Sequence, residues 1–287
     1  MIKTWFLASR PKTLIAAFSP VCIGTILAFQ KEAFDPLTFI AILAAATGIQ
    51  IGTNFANDYF DAKKGSDTPN RLGPKRATAS GTVSEDTMKR VFISAFAISF
   101  IIGIYLMIRG GLPIVAIGLS SIAAGILYTG GPKPLGYHGL GDLFAFLFFG
   151  PIATGGTYYL YTLNWSVESL VIGCAPGLFS VAMIAINNLR DLPEDKQTGK
   201  KTLAVLLGSE FTRKEITFAI CLAASLPLIP FESHQGLQRM AVWVLVPAYP
   251  LLKIIWKQEG IILNKSLGQC GAIMSLFTLL YCVGRIL

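Results

Sequence analysis

Six stretches of 17 to 21 residues carry no charged side chain, and they constrain this chain more than any motif in it: 13–29, 37–57, 91–108, 112–130, 143–161 and 169–189. A helix needs about 20 mainly apolar residues to cross the hydrocarbon of a bilayer, so each reads as a crossing. Three further segments, 214–231, 238–256 and 266–285, reach that length with one or two charges near their ends. Asp, Glu, Lys and Arg supply 14% of the 287 residues, against about 25% in an ordinary soluble domain, and the mean hydropathy is +0.59. A soluble surface cannot be built from so few charges, and disordered or collagen-like classes fail on composition too. The expectation is an all-α integral membrane protein, one domain over residues 1–287, with nine transmembrane helices around a central cavity.

The first segment is kept as a mature helix, because Gln30 and Lys31 follow it with no small-residue cleavage site. The net charge of +8 would suggest nucleic acid in a soluble protein. Here the bases sort by loop. With nine spans and the N-terminus inside, twenty Lys and Arg fall on the inner side, leaving Lys31, Arg109, Arg239 and Arg285 outside. That is a positive-inside distribution; it places the C-terminus outside and predicts a bilayer, not nucleic acid, as the partner. Ion-coupled transporters usually carry ionisable groups near the midplane, where this chain has almost none. Its five cysteines lie scattered in apolar runs, and His138 and His234 are far apart, so neither zinc nor haem is expected.

Two inner segments are acidic. The first reads Asn54-Phe55-Ala56-Asn57-Asp58-Tyr59-Phe60-Asp61, then Lys63, Lys64 and Asp67. The second reads Asn187-Asn188-Leu189-Arg190-Asp191-Leu192-Pro193-Glu194-Asp195, then Lys196, Lys200 and Lys201. Each follows an even-numbered span, so both emerge on one face, as in a weak internal repeat of helices 1–4 in helices 5–8. Asn54, Asp58 and Asp61 fall at i, i+4 and i+7, one face of a continuing helix. Carboxylate and amide oxygens are hard ligands suited to Mg²⁺, which takes one or two carboxylates and completes its shell with water and substrate phosphate oxygens. A plainer reading also exists: Asp191 with Glu194 and Pro193 resembles a capping box at a helix start, and Pro193 argues against a simple Asp191–Asp195 i, i+4 pair. An EF-hand fails on ligand order, and no Gly-rich phosphate loop is present.

These segments resemble the signature of the intramembrane aromatic prenyltransferases of ubiquinone, menaquinone and haem side-chain synthesis, Asn-Asp-x-x-Asp-x-x-x-Asp after helix 2 and Asp-x-x-x-Asp after helix 6. Asn57, Asp58 and Asp61 match the first motif, whose last Asp is Gly65 here with Asp67 close by. Asp191 and Asp195 match the second. The runs Ala8–Thr13, Arg71–Gly81 and Tyr128–Pro132 are similar to the naphthoate branch. The resemblance implies a Mg²⁺-dependent enzyme of a bacterial inner membrane, with its active site on the cytoplasmic side. It would join a polyprenyl diphosphate to 1,4-dihydroxy-2-naphthoate with loss of CO₂ and diphosphate. Metal ligation then falls to Asn57, Asp58, Asp61, Asp191 and Asp195, with Tyr128 and Lys133 beside the reacting centre. The diphosphate and metal neighbourhood takes Asn54, Asn187, Arg10, Lys63, Arg76 and Lys200, and Lys12, Lys64 and Lys201 are further basic candidates. Phe144, Phe146, Phe148, Phe149, Tyr158, Tyr159 and Tyr161 line either the prenyl channel or the lipid boundary. Asp142 reads as a helix N-cap or a substrate-side acid.

Overall fold

The computed structural model describes residues 1–67, 71–231 and 236–287; His234 lies outside them. Every regular element among these residues is helical: α1 (Ile2–Ala8), α2 (Ile15–Phe29), α3 (Pro36–Lys63), α4 (Glu85–Leu127), α5 (Gly141–Phe148), α6 (Pro151–Thr162), α7 (Val167–Gln197), α8 (Leu203–Ser225), α9 (Leu245–Lys257) and α10 (Leu263–Ile286). Four of them start the same way. Asp35, Ser84, Ser166 and Thr202 cap α3, α4, α7 and α8, each accepting the backbone N–H three residues on. That satisfies one of the donors a helix start leaves free.

Among the described residues, six helical segments are long and apolar enough to cross a membrane, or seven if the bent pair Ile2–Thr13 and Ile15–Phe29 counts as one span. Fewer helices meet this measure than the nine segments expected, although all nine fall on helices. One reason is α4, whose 43 residues contain both 91–108 and 112–130. Gly111 interrupts it at φ 65° and ψ −154°, a backbone that side chains with a Cβ rarely adopt. The Phe96 ring lies 3.3 Å from the position of a Cβ on Gly125, whereas a straight helix would separate those residues by about 43 Å. The two halves of α4 therefore pack side by side as a hairpin. A second reason is α8, which holds Glu210, Arg213, Lys214 and Glu215 and breaks at Gly208. The third is the 15-residue length of α2.

The core forms around α7, whose apolar stretch is 72% buried and whose Phe179, Ala182, Ala185 and Ile186 have no exposure at all. It packs against α2, α5, α6, α8 and α10. The acidic end of this helix keeps Asp191 and Asp195 buried on one face while Pro193 and Lys196 are exposed on the other.

Candidate active site

The last turns of α3 and α7 deliver their polar side chains to one cavity of about 180 Å³. Asn54, Asn57 and Asp61 line it from α3, and Asn187, Asp191 and Asp195 from α7. Arg10, Arg71, Arg76 and Lys200 bring positive charge to the same walls. The two motifs that the spacing paired across 130 residues of sequence therefore meet in space.

At the first end, Asp61 is 3% exposed. The Tyr137 hydroxyl oxygen lies 2.7 Å from both Asp61 Oδ1 and Ser66 Oγ. Its single proton goes to the carboxylate, leaving Ser66 to donate in turn. Burial first, and then the charge of Asp61, hold the Tyr137 pKa above its ordinary value, so it stays a donor. Lysines flank its ring: Lys64 Nζ is 4.7 Å and Lys200 Nζ 5.0 Å from the centroid. Arg76 lies 3.4 Å from Asp61. Lys200 lies 3.9 Å from both Asp61 and Asp195 and so bridges the two motifs. Asn57 is fixed through its Oδ1, which accepts from the Thr129 hydroxyl at 2.8 Å, and Asn54 donates to the Ser9 carbonyl at 2.9 Å.

At the second end the capping-box reading is overturned. α7 continues from Val167 to Gln197 with Pro193 inside it, so Asp191 does not begin a helix. Asp191 and Asp195 form an i, i+4 pair on one face after all. Proline removes one backbone bond, and the helix continues through it with Pro193 on its exposed face and Asp191 and Asp195 on its buried one. Arg190 Nε and Nη2 grip the two Asp191 oxygens at 2.7 and 2.6 Å.

Other expected residues sit elsewhere. Asp58 does not line the cavity: its oxygens accept from the backbone N–H groups of Ala77 at 3.0 Å and Thr78 at 2.9 Å. Residues three apart on a helix diverge by about 60°, enough to turn Asp58 from the cavity wall that Asp61 faces towards the neighbouring loop. Lys63 is exposed and lies 5.8 Å over the Tyr59 ring, about 160° round the helix from Asp61. Lys133 is exposed and borders neither this cavity nor the apolar one beside it. Asp142 is not the cap of α5: Leu140 holds that position, and Asp142 is buried one turn position inside, its Oδ1 without a hydrogen-bond partner. Asp67 does join the site's charge network. It pairs with Arg71 at 2.5 Å and with Arg76 at 3.5 Å, yet burial pushes its pKa up to about 6.

Tyr137, Thr129, Arg71 and Arg190 were not singled out by spacing. Arg71 and Thr129 lie in runs that carry the resemblance, and Arg190 has a signal of its own, as a cation embedded between an apolar helix and an acidic motif.

A second cavity, of about 200 Å³, is lined almost wholly by apolar side chains of α2–α6. Phe144, Phe148 and Phe149 face it, and Phe146 does not. Tyr158 and Tyr161 are buried in the core, and Tyr159 stacks on Trp165 at 4.8 Å. Gln50, Thr53, Tyr128 and Phe149 belong to the walls of both cavities, so an ionic chamber adjoins an apolar one with Tyr128 at the junction.

The donor set fits a hard divalent cation that shares its shell with a phosphate. No three His, Cys, Asp or Glu side chains among the described residues converge to hold an ion alone, and Mg²⁺ rarely uses such all-protein cages. Among the described residues, Arg10 Nη2 and Arg71 Nε are buried donors with no hydrogen-bond partner, and Arg76 Nε has only the Asp67 carboxylate 3.5 Å away. Such atoms are rare without a purpose, and a polyanion in the cavity would satisfy them.

The family model described as "UbiA prenyltransferase family" matches residues 17–265. The chain belongs to the UbiA prenyltransferase family. It is 37% identical to the 1,4-dihydroxy-2-naphthoate octaprenyltransferase of Escherichia coli (strain K12), over 87% of this chain and 82% of that one. It is 34% identical to the protein of the same name from Haemophilus influenzae, over 100% of this chain and 96% of that one. Among solved structures, a UbiA homolog from Archaeoglobus fulgidus bound to DMAPP and Mg²⁺ superposes with a TM-score of 0.70 at 16% identity, covering 99% of both chains. The apo UbiA homolog from Aeropyrum pernix K1 reaches 0.75 at 16% identity, over 96% of this chain and 98% of that one. The fold is thus the UbiA membrane fold.

Proposed function

We propose that this chain transfers a polyprenyl group from polyprenyl diphosphate to 1,4-dihydroxy-2-naphthoate, releasing diphosphate and CO₂ in menaquinone synthesis. The observation that carries the reading is the junction of the two cavities. An ionic chamber lined by Asp61, Asp191, Asp195, Arg71, Arg76 and Lys200 shares a wall with an apolar chamber. A molecule with a polyanionic head and an isoprenoid tail suits that pair. The 34–37% identity to the two naphthoate enzymes directs the acceptor.

Mg²⁺ held by Asn57, Asp61, Asp191 and Asp195, with Asp58 behind them, would neutralise the diphosphate and ease its departure. Arg10, Arg71, Arg76 and Lys200 bind and orient the phosphate oxygens, turning their buried donors to the ligand. The allylic C–O bond breaks with its electron pair going to the diphosphate. The tyrosine ring of Tyr128, at the junction, faces the positive charge left at C1. The ring carbon bearing the carboxylate attacks C1, the bond to CO₂ breaks, and its electrons restore the aromatic ring. Phe144, Phe148 and Phe149 keep water from the cation.

The whole of 1–287 acts as one domain with the α3 and α7 ends as its repeat. The α4 hairpin, α8 and α2 complete nine crossings. The acidic ends face the cytoplasm of a bacterial cell with the N-terminus, and the C-terminus lies outside. The test is purified protein in nanodiscs with dihydroxynaphthoate, a polyprenyl diphosphate and Mg²⁺, following prenylated product and CO₂ together. EDTA and Asp191→Asn should abolish both products. Turnover of 4-hydroxybenzoate but not dihydroxynaphthoate would keep the family and refute the acceptor.

A further inference from the structure

Asn264, the second residue of α10, occupies a junction that the chemistry above does not use. Its Oδ1 accepts from Arg190 Nη1 at 2.7 Å, and its amide donates to the Leu72 carbonyl at 2.8 Å. Arg190 is 2% exposed, and its other two sides are spent on Asp191. One buried guanidinium therefore ties the second acidic motif, through a single amide, to the loop that carries Arg71 and Arg76. The far end of that loop is pinned as well, by the Ala77 and Thr78 N–H groups on Asp58. The chain between the pins cannot drift: a Cβ on Gly73 would lie 2.8 Å from Arg190 Nη2. Each cavity-facing arginine directly precedes a pin, Arg71 before Leu72 and Arg76 before Ala77.

We infer that Asn264 and Arg190 are positioning residues for the diphosphate, holding residues 71–76 as a strap so that Arg71 and Arg76 face the anion rather than solvent. The inference rests on the proposed donor. An arginine on a loose loop must be ordered when the ligand arrives, which subtracts from affinity. A strap pinned at both ends has met that cost during folding.

Two variants separate the strap from the metal ligand. Asn264→Asp keeps the acceptor for Arg190 and removes the donor to Leu72, so Asp191 stays gripped while the strap is released. Gly73→Ala forces the strap or Arg190 to move from the other side. Each should raise the KM for polyprenyl diphosphate about five- to tenfold, the value of one hydrogen bond, with the KM for the acceptor and the melting temperature unchanged. Calorimetric binding of inorganic diphosphate with Mg²⁺ should weaken by the same factor. A donor KM within twofold of wild type in both variants would overturn the inference, as would kcat and melting temperature falling together at constant donor KM. Weakened diphosphate binding in a protein whose wild type turns over no naphthoate would uphold the strap and refute the acceptor reading instead.

Discussion

Asp61 and Asp191 each stand four residues after an asparagine at a helix end, yet the groups that hold them differ in kind. Asp61 is held from a distance: Tyr137, Arg76 and Lys200 come from three separate loops. Asp191 is gripped by its own neighbour, Arg190, on a helix that packs against five others. The first end is complete only when loops converge, whereas the short contacts on Asp191 come from its own helix and its loop partner, Arg71, stands off at 3.9 Å. Two motifs alike in sequence thus reach the same cavity with different degrees of preorganisation. A guanidinium fork on a rigid helix loses little freedom, and three loop side chains lose much more.

The comparison is sharpest at the carboxylates themselves. Asp61→Asn and Asp191→Asn should each lower kcat/KM by more than ~100-fold, beyond what removal of an outer partner typically costs. A mild effect at either would break the idea that both ends serve one ion–diphosphate cluster. Removing the partners comes next. Tyr137→Phe and Arg190→Lys should each raise the Mg²⁺ concentration for half-maximal rate by roughly 10- to 100-fold. Saturating Mg²⁺ should restore the Tyr137 variant more fully, because its carboxylate keeps two cations, Arg76 and Lys200, where Asp191 keeps only Arg71 at 3.9 Å. Equal restoration would erase the distinction between loop-held and helix-held acids.

A smaller effect concerns Asp67, which touches both strap arginines. Its folded pKa of about 6 lies above the ordinary 3.8, so the native state retains a proton that the unfolded chain has released. That contribution to stability is full below pH 3.8 and is lost as pH rises through about 6. Thermal melts of wild type and Asp67→Asn should show the wild type's relative stability declining over that window. A constant difference would mean that the arginines, not burial, govern the group. Smallest of all, Lys133→Ala should leave both KM values within about twofold, since an exposed charge with no partner contributes little; a tenfold loss would bring that loop into the site.

Much of this was legible in the residues. The apolar runs mark the helices, and Asn57–Asp61 and Asn187–Asp191, alike in spacing, line one cavity. Asp58 turns to the neighbouring loop because i, i+4, i+7 spacing allots a face without saying which of its residues a loop will claim. For Asp191 the plainer capping-box alternative fails, since α7 runs on through Pro193 and carries Asp191 to the cavity. Tyr137 gave no signal at all: its place depends on the fold of the segment between α4 and α5.

What the sequence determined alone is the solvent and the chemistry. Charge-free runs of bilayer length admit only helices that satisfy their own backbone groups, and paired acids beside clustered bases offer donors suited to a divalent cation and a polyanion. What only the tertiary structure decided is which oxygen is free to act. That depends on partners such as Ala77, Thr78, Tyr137 and Asn264, which lie between 19 and 76 residues away along the chain. Hydrogen bonds of this kind reach a few ångströms through space, and no periodicity along the chain encodes them.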